Sequence, residues 1–283
     1  MEHNNEALNA FRACITRVDI ENYNLCNRCC TTCPQSLGIR SKELEVFSND
    51  LYEKLLSELA ECQYKETLAI GRYHEPLLFP DLTIERIRLA RKKLPMMRII
   101  LNTNGDFITS DMLRMLDEAG LDEIKIMRYQ SSDYSTELGE KMCKQMAEDL
   151  HKEVIRKKTI EGVICYMQLE REGSLAISVR SENYYSCQGN GRGGLLPDLS
   201  TSLRTSACYV PQKSIDVDYN GDVVPCCNLI SDSALHKPYV IGNIKNETIY
   251  DIYWKSTHSD FYNSIIKGMF DKYSVCQFCT YVF

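Results

Sequence analysis

Residues 24–34 read NLCNRCCTTCP and place four of the chain's 14 cysteines within eight positions. Thiols packed that densely serve disulfides, metal ligation or redox chemistry. Disulfides are disfavoured where glutathione keeps thiols reduced, and MEHNNEALNAFRAC lacks the basic segment followed by an apolar stretch that marks secretion. No apolar run is long enough to span a bilayer. The expectation is a cytoplasmic protein, free of membrane, whose cysteines bind metal. Two groups have ligand spacing: Cys26, Cys30 and Cys33 as C-x3-C-x2-C, and Cys208, Cys226, Cys276 and Cys279, the last two as C-x2-C. Zinc is the alternative for either, since a C-x2-C knuckle looks the same in a structural zinc site. Cys14, Cys29, Cys62, Cys143 and Cys165 lack ligand spacing and are expected to pack as small hydrophobes. Cys227, beside Cys226 on an expected strand, should face the opposite way.

Positioning these groups takes a sizeable fold. With 283 residues, 44% of them hydrophobic, the chain can bury a substantial core in one large domain or one large and one small. A net charge of −6, from 33 basic and 39 acidic residues without long runs, argues against nucleic acid as a partner. Strands are expected at Cys14–Ile20, Thr67–Gly71, Met97–Leu101 and Glu123–Met127, and within Gly162–Gln168 and Leu175–Arg180. Helical patterns over Lys42–Glu61, Leu82–Lys93, Ser110–Ala119 and about Ser135–Lys152 separate the first five. Such alternation predicts parallel βαβ units, with functional loops at the strands' C-terminal ends. Residues 188–206 read as a linker, and Asn220-Gly221 between two strand-like runs reads as a hairpin. The expected division is 12–190 and 191–283.

The C-x3-C-x2-C loop after the first strand resembles that of the radical SAM superfamily. The resemblance implies a [4Fe–4S] cluster held at three irons by Cys26, Cys30 and Cys33, with the fourth iron open to S-adenosyl-L-methionine. GRYHEPLL resembles the family's Gly-Gly-Glu-Pro segment, with Glu75 and Pro76 matching and Tyr73 and His74 in place of glycines. LNTNG, at the third strand's end, implies that Thr103 and Asn104 lie near the cofactor. Thr32 stands where the family often has an aromatic residue, which leaves adenine packing to another side chain. The implied fold is α/β, a partial (β/α)6 TIM-like barrel with a small C-terminal hairpin and helix extension.

Twelve residues separate Cys208 from Gly221, and four separate Gly221 from Cys226. This resembles the SPASM/twitch subgroup in its short form, which implies an auxiliary [4Fe–4S] cluster on Cys208, Cys226, Cys276 and Cys279. The layout is similar to that of radical SAM dehydrogenases of aminocyclitol synthesis. By that likeness the reaction is two-electron oxidation of a small sugar or cyclitol alcohol, with a flavodoxin- or ferredoxin-type electron donor. Arg192 is the candidate for orienting or deprotonating the hydroxyl. Arg128 and Arg180 are candidates for cofactor contacts, and Cys187 for hydrogen-atom donation. The alternative is a peptide-modifying enzyme, an epimerase or crosslinking maturase, although the 25 residues before Cys26 leave no room in this chain for a leader-binding domain.

Overall fold

The structure is a computed structural model that describes residues 2–130, 134–185, 191–199 and 202–279. Cys187 lies outside the described residues. Helix α1 (Glu2–Cys14) precedes β1 (Arg17–Ile20), and α2 (Asn49–Glu61), β2 (Thr67–Ile70), α3 (Pro80–Lys93), β3 (Arg98–Thr103), α4 (Ser110–Ala119), β4 (Glu123–Met127) and α5 (Thr136–Asp149) alternate behind it. Strands β5 (Val154–Ile160), β6 (Ile164–Glu172) and β7 (Leu175–Glu182) then follow without an intervening helix. The C-terminal part contributes α6 (Val210–Lys213), β8 (Ser214–Val217), β9 (Asp222–Val224), β10 (Gly242–Asn243), α7 (Ile249–Thr257), α8 (Asp260–Ile266) and α9 (Ser274–Gln277).

One sheet runs β10-β9-β8-β1-β2-β3-β4-β7-β6-β5. Its six central strands, from β8 to β7, are parallel, as crossover helices require. Alternation decides the faces. Val18, Ile20, Leu68, Ile99, Ile124 and Ile177 are fully buried in the core, while their strand neighbours Arg17, Asp19, Asn102, Lys125 and Ser178 put polar groups on the other face. No helix among the described residues is long and apolar enough to cross a membrane.

The expected α/β barrel architecture holds, with differences in its elements. Strand β6 is antiparallel to β7, because the two residues between them are too few for a crossover. Strand β5, which pairs with β6, is exposed at all seven positions and so carries no alternation to read. Helix α2 starts at Asn49 rather than Lys42, since the Ser48 hydroxyl caps Leu51 N–H and 42–48 runs outside the helix. Cys14 closes α1 instead of opening β1; that helix is anchored by Ala7 and Phe11, with Phe11 meeting Tyr253 edge-on at 5.8 Å. Cys226 and Cys227 lie beyond the end of β9, so the strand rule that sends them to opposite faces does not apply.

Candidate active site: two cysteine sets and the bridge between them

The loop leaving β1 carries Cys26, Cys30 and Cys33 to the rim of a cleft whose empty space, open solvent included, is about 470 Å³. Its other walls come from the C-terminal ends of the next three strands: Gly71 to Glu75 after β2, Asn102 and Thr103 on β3 with Asn104 just after it, and Met127 and Tyr129 at β4. Gly71 has φ +105°, and a Cβ there would stand 2.3 Å from the Asn102 carbonyl, so only glycine lets the β2 end lie against β3. Asn102 Nδ2 donates back to Gly71 O at 3.1 Å.

Glu75 is buried against this wall. Its Oε1 accepts from Thr103 Oγ1 (2.6 Å) and Leu77 N–H (3.1 Å), and its Oε2 from Asn104 N–H (2.7 Å). Burial pushes the carboxyl above its usual range, against those donors. Asn104 in turn donates from Nδ2 to Asn27 Oδ1 at 2.8 Å, which ties the cysteine loop to β3. Glu75, Thr103 and Asn104 are thus one hydrogen-bonded unit opposite the three thiols. Arg128 stands behind it, donating to Asn104 O at 3.1 Å, and Arg180 pairs with Glu182 at 3.0 Å. Neither arginine lines the cavity, nor does Pro76, which starts the turn that follows.

Burial raises the Cys26 thiol to about 12 and moves Cys30 and Cys33 upward as well. Without metal these sulfurs stay protonated, and iron must displace the protons to bind. Three soft donors facing an open cavity with a buried carboxylate beyond fit a cluster with one free corner better than a closed zinc site. No group of three or more His, Cys, Asp or Glu among the described residues stands close enough to hold a single metal ion.

The second set is assembled from separate segments. Cys208 precedes α6, Cys226 follows β9, and Cys276 lies in α9 with Cys279 just after it. Cys208 N–H donates to Ile265 O at 3.2 Å, and Arg204 N–H to Gln277 O at 2.8 Å. Asn228 spans two of the sulfurs: its N–H donates to Cys226 Sγ at 3.4 Å and its Nδ2 to Cys279 Sγ at 3.7 Å. Arg204 Nη1 donates to Cys279 O at 2.9 Å and lies 3.9 Å from that sulfur. Burial raises Cys208 and Cys276, and Cys279 raises both further. Four thiols with hydrogen-bonded sulfurs fit a fully ligated cluster.

Between the sets lies a buried polar bridge. Arg72 pairs with Asp216 at 3.0 Å and with Asp218, and donates to Leu229 O. Tyr73 donates from its hydroxyl to Cys227 O at 2.6 Å. Arg40 pairs with Glu21 (2.7 Å) and Asp232 (2.9 Å). Arg192, with φ +49°, donates from Nε to Thr32 O at 3.2 Å and lies over the rings of Tyr73 and Tyr184. Its pKa stays above the usual arginine value despite burial, so the guanidinium carries a fixed positive charge in this setting. Tyr129, stacked on Tyr184 at 5.9 Å, is the aromatic wall that Thr32 does not supply. Sequence reading noted Tyr73 only as standing in place of a glycine and did not single out Tyr129, Arg72 or Asn228. Their positions at strand ends or two residues from a candidate ligand were the available signal.

Residues 20–164 match the Radical SAM superfamily, and residues 208–280 match the SPASM iron–sulfur cluster-binding domain. The S-adenosyl-L-methionine-dependent 2-deoxy-scyllo-inosamine dehydrogenase of Niallia circulans is 25% identical over 266 residues, covering 94% of this chain and 92% of that one. Among solved structures, BtrN in complex with AdoMet and 2-DOIA superposes with a TM-score of 0.68 at 23% identity, covering 95% and 94% of the two chains. Native anSMEcpe with bound AdoMet gives 0.50 at 14% identity, over 93% and 88%. The match to the superfamily spans just over half the chain, across the cysteine loop, Glu75 and the Thr103–Asn104 strand end, and the protein belongs to the radical SAM superfamily.

Proposed function

We propose that this chain oxidises an alcohol of a small sugar or cyclitol to a ketone, in the cytoplasm, using a flavodoxin- or ferredoxin-type protein as electron source. Cys26, Cys30 and Cys33 hold the first cluster, and Cys208, Cys226, Cys276 and Cys279 the auxiliary one, with the chain dividing functionally near residue 190. When bound, the first cluster with S-adenosyl-L-methionine supplies a hydrogen-abstracting 5′-deoxyadenosyl radical, and the auxiliary cluster accepts one electron.

The chain's own residues do the positioning. Glu75 presents a buried carboxylate to the methionyl ammonium, with its charge held by Thr103 and the Asn104 amide. Tyr129 offers a ring for the adenine and Arg192 a fixed positive charge for a substrate oxygen. The observation that carries the reading is the convergence of three thiols and the Glu75 unit on one cavity, with a complete second thiol set bridged to it. The curated dehydrogenase, aligned over nearly its whole length, supports a small-molecule alcohol over a peptide.

The test is anaerobic reconstitution followed by turnover with 2-deoxy-scyllo-inosamine. About eight irons per chain, 5′-deoxyadenosine and a product two hydrogens lighter are expected. Bound zinc without sulfide, or solvent deuterium fixed at an inverted carbon, overturns the reading.

A further inference from the structure

Tyr73 is the residue in which the two cysteine sets meet. Tyr73 is one of the residues lining the cavity that Cys26, Cys30 and Cys33 face, and its hydroxyl donates at 2.6 Å to the carbonyl of Cys227, the residue bonded to Cys226. The backbone is pinned as well: Tyr73 N–H donates to Glu21 Oε1 at 3.0 Å, and Gln35 Nε2 donates to Tyr73 O at 2.6 Å. Three guanidiniums surround the ring, Arg72 at 5.2 Å, Arg192 at 5.5 Å and Arg40 at 5.7 Å from its centroid. Arg72 and Arg40 are each held by two carboxylates, so this cage is rigid. A buried ring fixed at both ends and joined by a short hydrogen bond offers a tunnelling electron a continuous medium where a smaller side chain would leave a gap. The position is one where the superfamily resemblance leads to expect glycine, which has no side chain to do this.

We propose that Tyr73 is the electron bridge between the cavity and the auxiliary cysteines. This rests on both sets holding redox-active clusters, as in the proposed function. One electron crosses and no bond forms or breaks in Tyr73. In turnover it leaves the substrate carbon after hydrogen abstraction, the hydroxyl proton goes to water in the open cavity, and the auxiliary cluster is reduced by one.

The test needs no substrate. Loaded protein is flash-reduced with photoexcited 5-deazariboflavin, and freeze-quench EPR follows equilibration of the electron between the two clusters, with each midpoint potential measured separately. Tyr73→Leu should slow equilibration at least about tenfold with both potentials unchanged, and Tyr73→Phe, which keeps the ring and loses the hydroxyl bond, about threefold. Wild-type rates in Tyr73→Leu overturn the proposal, as does the absence of any transfer in the wild type. Should Tyr73→Leu fail to load iron, an unchanged rate in Tyr73→Phe overturns it. Failure of alcohol oxidation alone leaves these rates as they are, so the two readings fall separately.

Discussion

The two cysteine sets are built in opposite ways. Cys26, Cys30 and Cys33 sit on one eight-residue loop braced by local bonds, such as Cys33 N–H to Cys30 O at 2.9 Å, and they face a cavity. Cys208, Cys226, Cys276 and Cys279 are gathered from three places across 72 residues and held by Asn228 and Arg204. A local loop can leave one corner open because its geometry does not depend on the ligand closing it. A set drawn from distant segments holds the fold together as well as the metal.

The sharpest way to break this contrast is Cys30→Ala. It should lower 5′-deoxyadenosine formation at least ~1000-fold while about four irons per chain remain on the other set. If iron is lost from both sets, the sets are not independent. Next comes Glu75→Gln, which removes the charge opposite the thiols; calorimetry should find S-adenosyl-L-methionine bound about 10- to 100-fold more weakly, with some loss of thermal stability because the amide NH2 leaves a buried N–H or hydroxyl donor without its acceptor. Cys276→Ala should lower the melting temperature by about 5 °C more than Cys30→Ala does, as read by scanning calorimetry. Arg204→Ala should speed loss of the second set's iron to a chelator by about tenfold, the scale seen for groups that hydrogen-bond metal ligands.

The smallest effect is in pH. Burial raises the folded Glu75 carboxyl above the usual carboxylate range, and only the ionised form attracts an ammonium. Affinity for S-adenosyl-L-methionine is therefore full above that raised pKa and declines as pH falls through it, earlier than an ordinary carboxylate would dictate. Glu75→Gln should flatten this slope, and a titration of affinity against pH checks it.

What the sequence made legible follows the same contrast. The first loop could be read because its ligands are close in the chain, and Glu75, Thr103 and Asn104 because the short segments GRYHEPLL and LNTNG that carry them resemble segments of the superfamily. The C-x2-C pair and the Asn220-Gly221 turn were visible for similar reasons. Hidden were features created by distant contacts. Tyr73 reads as an unusual residue in a motif, and only its bond to Cys227, 154 positions away, gives it a role. Arg72 reads as a solvated charge until Asp216 and Asp218 are placed against it. Strand β5 hid because exposure at both faces erases the period that identifies strands.

The parallel pairing of β1 with β8 has a consequence for how the molecule is made. Thr16 N–H closes on Lys213 O, 197 residues downstream, so β1 keeps one bare edge during synthesis until the chain as far as β8 has been made. During that interval the Cys26 loop and the β2 side of its strand are in place while the β8 side is not. Until β8 arrives, Arg72 at the cavity wall has neither Asp216 nor Asp218 to pair with, so the charge beside the first cysteine set is left unbalanced.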